Sequence, residues 1–192
     1  MIPIIHKVNS IDKLKNIPKD YGVEIDIRNG NSGLILSHEP ANSGVLLEDY
    51  LDKYNNNFLI ANIKESGIEN EVVKTILEKN VENFFLLDVE FPYIYQNSST
   101  KTDFLSTRFS KYESIESVEN LINKVSWLWV DTYDNFRIDS NSADIMKNFK
   151  ICMVSPSRWG SPESLNTYID KFKEFSIEID AVMIEYNENF NF

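Results

Sequence analysis

The chain has 192 residues, of which 42% are hydrophobic and 26% charged, a composition typical of a folded domain with a sizeable core. Its formal net charge of −11 argues against nucleic acid as a partner, because an acidic surface repels phosphate backbones. The single cysteine, Cys152, excludes a disulfide within the chain and a cysteine-based zinc site. The N-terminus is too short and too polar for a signal peptide, and no run reaches the ~18 apolar residues of a membrane span, so we expect a cytoplasmic protein.

Eight short apolar runs, rich in β-branched and aromatic residues, predict β-strands. In chain order they are residues 2–8, 22–28, 58–64, 83–89, 104–110, 126–133, 149–155 and 180–186. Helical spacing of apolar residues predicts helices between them, at 45–54, 69–80, 114–124, 142–149 and 161–176, with a shorter one within 92–100. Ser161 and Pro162 suit the start of the last helix, as N-cap and first helical residue. The first connection, residues 9–21, is short for a full helix.

This alternation predicts a single domain, residues 1–192, built around a parallel sheet. Eight strands are the number that closes a (β/α)8 TIM barrel, and this one would be compact, since such barrels usually have about 250 residues. The alternative is a doubly wound open sheet, which is less favoured because no glycine-rich phosphate loop follows the first strand.

Polar residues lie at or near the carboxyl ends of these predicted strands, where barrel proteins hold their active sites. The candidates are His6, Lys7, Glu24, Asp26, Asn62, Lys64, Asp88, Glu90, Arg108, Asp131 and Glu185. The second of the two histidines, His38, follows the NGNSG turn that returns the chain beside the second strand.

Glu24 and Asp26 are two residues apart on a strand, so their side chains share a face. Two such carboxylates repel unless a proton or cation lies between them, and oxygen ligands suit Mg²⁺ or Ca²⁺. Asn62 would add an amide oxygen, and the two histidines would act as general acid and base. Cationic side chains would bind an anionic substrate, most simply a phosphate; the candidates are Lys7, Lys64 and Arg108.

Each residue also has a simpler interpretation. The E-x-D pair is compatible with a solvent-exposed sheet edge, and His6 alone with a histidine of the core or its rim. Lys64 and Arg108, taken singly, are compatible with ordinary salt bridges. The functional interpretation depends on the whole set lying at one end of the barrel.

The order of these residues resembles the opening pattern of the glycerophosphodiester phosphodiesterases. In that family a histidine ends the first strand, E-x-D lies on the second, and a hairpin leads to a histidine followed by an acid. The corresponding residues here are His6, Glu24-Ile25-Asp26 and His38-Glu39, and the family's E-x-K on the third strand is matched by Asn62-Ile63-Lys64. The resemblance implies a phospholipase C-like TIM barrel that hydrolyses a small glycerophosphodiester, or a phosphodiester of a sugar or lipid head group.

The resemblance also implies roles for individual residues. Glu24, Asp26 and Asn62 would bind Mg²⁺ or Ca²⁺, His6 and His38 would be the acid–base pair, and Lys64 would contact the phosphate. Asp88, Glu90, Asp131 and Glu185 are possible additional site residues.

Three departures from the family pattern keep an alternative open. His6-Lys7-Val8 replaces His-Arg-Gly, Asn62 replaces the third carboxylate, and the capping insertion after the second strand is absent. The alternative is a weakened or inactive relative that binds a phosphorylated sugar or lipid head group. A sugar-phosphate isomerase or aldolase that uses Lys64 is a further alternative, which the paired carboxylates fit less well.

Overall fold

A computed structural model of the protein describes residues 1–134, 136–161 and 164–186. Its strands are β1 (Ile2–Ile5), β2 (Gly22–Gly30), β3 (Gly33–Leu36), β4 (Val45–Leu46), β5 (Phe58–Ile63), β6 (Phe84–Leu87), β7 (Thr102–Phe109), β8 (Val125–Val130), β9 (Lys150–Val154) and β10 (Ala181–Ile184). Its α-helices are α1 (Ile11–Leu14), α2 (Leu47–Leu51), α3 (Glu69–Glu78), α4 (Phe91–Asn97), α5 (Ile115–Glu119), α6 (Ser140–Met146) and α7 (Leu165–Glu174), and a 3₁₀ helix spans Pro156–Trp159.

The sheet has the strand order β1-β10-β9-β8-β7-β6-β5-β2-β3-β4, and β1 also pairs with β2. This second pairing closes eight parallel strands into a (β/α)8 barrel, with β3 and β4 as an antiparallel extension of β2. The predicted TIM barrel is therefore confirmed, and the open-sheet alternative is wrong. Each of the eight predicted strands corresponds to one barrel strand.

The helices differ from the predictions mainly at their ends. The last helix begins at Leu165 and not near Ser161, because the Ser164 side chain accepts the Thr167 backbone N–H and caps it there; Pro162 and Glu163 lie outside the described residues. The first two residues of the predicted helix 45–54 are instead β4, which pairs with β3.

Contacts group the chain into two compact units, residues 4–90 and residues 1–3 with 91–192. In the first unit β2 pairs in parallel with β1 on one side and with β5 on the other, which buries the centre of β2. Only β4 and the short α2 lie between β3 and β5, in line with the predicted lack of a capping insertion.

In the second unit β8 pairs in parallel with β7 and β9, and its residues are all buried. Cys152 on β9 is fully buried among these strands, as expected of a small hydrophobic residue. None of the helices in the described part of the chain is long and apolar enough to cross a membrane.

Candidate active site

Glu24 and Asp26 lie in the buried centre of β2. Strand alternation places them on the face opposite Val23, Ile25 and Ile27. Because strands pair with β2 on both sides, the two acidic residues are only 1% and 0% exposed, respectively. The interpretation of the E-x-D pair as a solvent-exposed edge is therefore wrong.

The Glu24 carboxylate accepts hydrogen bonds on both of its oxygens. Asn62 Nδ2 donates to Oε1 at 2.8 Å, and the Lys7 backbone N–H donates to Oε2 at 2.8 Å. The Lys7 backbone has φ 51°, a left-handed conformation that is uncommon outside glycine. His6 Nε2 lies 3.9 Å from Glu24 Oε2, so the end of β1 faces this carboxylate.

Burial raises the pKa of Glu24 from 4.5 to about 7, with a second contribution from the charge of Asp26. The hydrogen bonds from Asn62 and Lys7 and the charge of Lys64 act in the opposite direction and offset this only in part. The charged form of Glu24 is therefore less favourable in the folded protein than in water, mainly because it is buried. A carboxyl group with a pKa close to neutrality is a common feature of functional sites.

Asp26 is held from two sides by side chains. Asn9 Nδ2 donates to Asp26 Oδ2 at 2.7 Å, and Asn9 Oδ1 accepts the Asp26 backbone N–H at 2.9 Å. Lys64 Nζ lies 3.3 Å from Asp26 Oδ1 and 3.5 Å from Asp88 Oδ2, so its ammonium group bridges two carboxylates. Glu90, two residues beyond Asp88, is exposed.

The β2–β3 hairpin returns the chain beside Asp26. Its turn includes Gly33 at φ 122°, where a larger residue would be strained, and the Ser37 N–H donates to the Asp26 backbone carbonyl at 3.0 Å. The next residue is His38, whose side chain is 42% exposed and whose Nδ1 lies 2.7 Å from Glu39 Oε1. The hydrogen bond from His38 lowers the pKa of Glu39. The hairpin thus brings the backbone of His38 next to β2, with the ring oriented by its neighbour.

The remaining predicted residues belong to the second unit. Arg108 Nη1 lies 3.1 Å from Asp131 Oδ2, and Trp129 Nε1 donates to Asp131 Oδ1 at 3.1 Å. Glu185 pairs with Arg158 in the 3₁₀ helix. These contacts agree with the simpler interpretation of Arg108 as a salt-bridge partner, and its role in binding phosphate stays a prediction.

The oxygen atoms around Glu24 are chemically suited to a hard cation. No group of three His, Cys, Asp or Glu side chains within residues 1–134, 136–161 and 164–186 is arranged to hold a metal ion. The predicted set has two carboxylates and the Asn62 amide instead. Asn62 Oδ1 is buried without a hydrogen-bond partner, and Asp26 Oδ1 is buried with the Lys64 ammonium group 3.3 Å away but no hydrogen bond of its own. Oxygen atoms of this type are the ligands of Mg²⁺ and Ca²⁺. The ligand types of Glu24, Asp26 and Asn62 therefore suit Mg²⁺ or Ca²⁺, although the set has one carboxylate fewer than a site with three acidic residues.

Two residues around the site, Asn9 and Lys13, were not found by sequence reasoning, since both lie in the connection after β1, where no periodicity marks them. Lys13 Nζ donates to the backbone carbonyls of His6 and Lys7 at 2.8 and 2.7 Å. Arg28, by contrast, is two residues beyond Asp26 on the same strand, so strand alternation alone places its side chain on the same face as Glu24 and Asp26.

These features define a (β/α)8 barrel with a cluster of carboxylates, histidine and lysine at the carboxyl ends of its first strands. Solved structures with this fold include glycerophosphodiester phosphodiesterases. The enzyme from Agrobacterium tumefaciens aligns with a TM-score of 0.60 and 10% identity, over 95% of this chain and 96% of that one. A glycerophosphoryl diester phosphodiesterase from Parabacteroides distasonis aligns with a TM-score of 0.57 and 12% identity, over 95% of this chain and 81% of that one.

The structural comparisons confirm, at the level of the fold, the resemblance first seen in the sequence motifs. No protein-family model matches the chain, and no curated protein matches it at a significant level.

Proposed function

We propose that this protein is a phosphodiester hydrolase that acts on a small substrate of the glycerophosphodiester type. The observation that carries the proposal is the buried Glu24–Asp26 pair with Lys64 beside it, at the carboxyl ends of strands in a barrel shared with known phosphodiesterases. Buried carboxylates destabilise a barrel core, so a functional reason for keeping them is favoured.

The roles we assign follow from charge and position. Lys64 would bind a phosphoryl oxygen, because its ammonium group lies at the strand ends and is already held between Asp26 and Asp88. One of the two histidines would take a proton from the attacking hydroxyl group, and the other would give a proton to the leaving alcohol. When a neighbouring hydroxyl group of the substrate attacks the phosphorus, the P–O bond to the leaving alcohol breaks and a cyclic phosphodiester results, which water would open to a phosphomonoester in a second step. In a substrate without such a hydroxyl group, such as bis-p-nitrophenyl phosphate, water would attack the phosphorus directly.

A divalent cation, Mg²⁺ or Ca²⁺, would be held by Glu24, Asp26 and Asn62. When bound, it would supply charge stabilisation for the phosphoryl oxygens. The residues of the chain would keep the carboxylates in place: Asn9 fixes Asp26, and the Lys7 backbone N–H fixes Glu24.

The proposal is tested by hydrolysis of glycerophosphodiesters and of bis-p-nitrophenyl phosphate with Mg²⁺ or Ca²⁺. We expect turnover that chelator abolishes and that His38→Ala lowers by a factor of about 10² to 10⁴, the usual contribution of a general acid or base. A suitable control is Lys15→Met, since Lys15 is an exposed residue of the first connection that pairs with Asp12. A protein inert with every divalent ion, or an unaffected His38→Ala variant, contradicts the proposal.

The arrangement of Asn62 favours a second candidate, a non-catalytic protein that binds a phosphorylated sugar or lipid head group. Asn62 donates a hydrogen bond to Glu24, whereas a third carboxylate would add charge for a cation. Measurable affinity for such ligands without turnover would support this candidate, and chelator-sensitive hydrolysis would exclude it. The aldolase alternative is disfavoured, because Lys64 pairs with two carboxylates whereas a Schiff-base lysine reacts as a neutral amine.

A further inference from the structure

We propose that Lys13 and Arg28 are positioning residues, each of which holds the backbone carbonyl of one of the two histidines. Lys13 would fix His6 and Arg28 would fix His38. The kinetic consequence rests on the proposed function, whereas the geometric consequence is measurable without any substrate.

Lys13 reaches back from α1 to the end of β1. Its ammonium group donates to the carbonyls of His6 at 2.8 Å and Lys7 at 2.7 Å. The Lys13 backbone N–H donates to the side chain of Ser10, the N-cap of α1. This hydrogen bond fixes the backbone position from which the Lys13 side chain extends. Two consecutive carbonyls therefore converge on one cation at the point where Lys7 adopts its left-handed conformation and gives its N–H to Glu24.

Arg28 plays the corresponding part for the second histidine. Its Nε and Nη2 both donate to the His38 carbonyl, at 3.2 and 3.1 Å, and its Nη1 donates to the Lys64 carbonyl at 3.0 Å. The guanidinium group is oriented in turn by Glu65, whose Oε2 lies 3.7 Å from Nη1. One side chain thus joins the second residue after β3 to the first residue after β5.

We call these two sets of hydrogen bonds, from Lys13 to the His6 and Lys7 carbonyls and from Arg28 to the His38 carbonyl, the two clamps. They act on the main chain and not on the imidazole rings. Hydrogen bonds from a charged donor are shorter and stronger than neutral ones, so each fixes the position from which its histidine side chain starts. Arg28 uses three separate nitrogen atoms of its planar guanidinium group to reach the carbonyls of His38 and Lys64, and the single ammonium group of a lysine cannot reproduce this arrangement. We therefore expect Arg28→Lys to preserve the charge and lose the clamp.

The positioning role can be tested by NMR, because a chain with two histidines gives two sets of imidazole signals. The set that disappears in the His6→Ala variant belongs to His6. Lys13→Met should shift or broaden the His6 signals and leave those of His38 unchanged. Arg28→Lys should do the reverse. Matched controls are Lys15→Met, on the exposed side of the same connection, and Arg137→Lys, an exposed arginine of the second unit; neither should affect either histidine.

Thermal unfolding identifies variants that fail to fold, and Lys13→Gln and Arg28→Gln replace any that do. If a folded variant leaves its histidine unchanged, or alters both histidines alike, the positioning role is overturned. This result does not depend on whether the protein hydrolyses anything.

Kinetics supply the second readout. We expect Lys13→Met and Arg28→Lys each to lower kcat by about 10-fold or more with KM changed by less than about 3-fold, because misplaced catalytic groups act on the transition state. Addition of guanidinium at low millimolar concentration should partly restore kcat in Arg28→Ala, which a general loss of stability would not allow. Unchanged kcat in folded variants overturns the proposal and leaves the hydrolase assignment intact. A wild-type protein without activity refutes the hydrolase assignment, and the NMR test then decides the clamp.

Discussion

Replacement of Glu24 by glutamine should stabilise the protein at neutral and alkaline pH while it removes hydrolase activity. The native carboxyl group is 1% exposed and close to Asp26, and its pKa is raised from 4.5 to about 7. Glutamine has the same shape without the charge. The glutamine can still accept the hydrogen bond from the Lys7 N–H. Its NH₂ group can donate to Asn62 Oδ1, which lacks a partner in the wild type, if the Asn62 amide turns over.

The magnitude follows from proton linkage. Between pH 4.5 and 7 the folded protein keeps a proton on Glu24 that the unfolded chain has lost, so the free energy of unfolding falls as the pH rises through this window. The decrease stops above the folded-state pKa. A pKa difference of this size corresponds to about 3 kcal/mol, at ~1.4 kcal/mol for each pH unit. The glutamine variant lacks this loss, so its advantage should be near zero at acid pH and should reach about 3 kcal/mol at pH 8.

The assay is urea unfolding followed by tryptophan fluorescence, with chelator present, at several pH values between 4.5 and 8. The chain has three tryptophans, of which Trp127 and Trp129 are buried. Titrating groups distant from Glu24 are common to both proteins and cancel in the difference, whereas Asp26 interacts with Glu24 and does not cancel fully. A difference that does not vary with pH, or a variant less stable than wild type at pH 8, refutes the reasoning. Asp26→Asn is a contrasting control, because it removes the buried one of the two carboxylates that pair with Lys64 and should destabilise the protein.

Two further predictions concern the neighbours of Glu24. Asn62→Glu adds a third carboxylate to the site and should raise the affinity for Ca²⁺ by at least about 10-fold in calorimetric titration, since charge count tunes such affinities; an unchanged affinity would contradict Asn62 as a ligand position. Lys64→Met leaves Asp26 buried without its cation and should lower stability by about 3 kcal/mol, as measured for broken buried pairs. Its control, Lys74→Met, removes an exposed pair with Glu78 and should change stability by less than about 0.5 kcal/mol. If Lys64→Met and Lys74→Met lower the free energy of unfolding by the same amount, the pairing of Lys64 with Asp26 does not stabilise the fold.

The sequence was sufficient to predict the barrel because its strands are short apolar runs that pair in chain order. It also located Glu24, Asp26 and Lys64 together, because strand period and strand ends determine where such side chains lie. It did not locate Asn9 or Lys13. Both lie in a connection whose path is set by tertiary contacts, among them the bonds from Asn9 to Asp26.

Local boundaries were also less predictable, for a related reason. Several serines near the start of the last helix are chemically able to cap it, and only the fold shows that Ser164 does so. The pairing of β4 with β3 likewise depends on the returning hairpin, because Val45 and Leu46 by themselves are equally compatible with the start of a helix.

The charge balance around Glu24 connects the stability of this protein to its proposed chemistry. The ammonium group of Lys64 lies beside Asp26 and Asp88, while Glu24 accepts hydrogen bonds from two neutral donors, the Asn62 amide and the Lys7 backbone N–H. A proton on Glu24, or a bound cation, would offset the cost of burying this carboxylate beside Asp26, since burial and the charge of Asp26 together raise the pKa of Glu24. Asn62 adds no charge where a third carboxylate would, so the same amide that should favour the stability of the metal-free barrel should weaken the proposed binding of a cation. Glu24→Gln and Asn62→Glu shift this balance in opposite directions, and we expect stability without metal and affinity for Ca²⁺ to change in opposite senses across the wild type and these two variants.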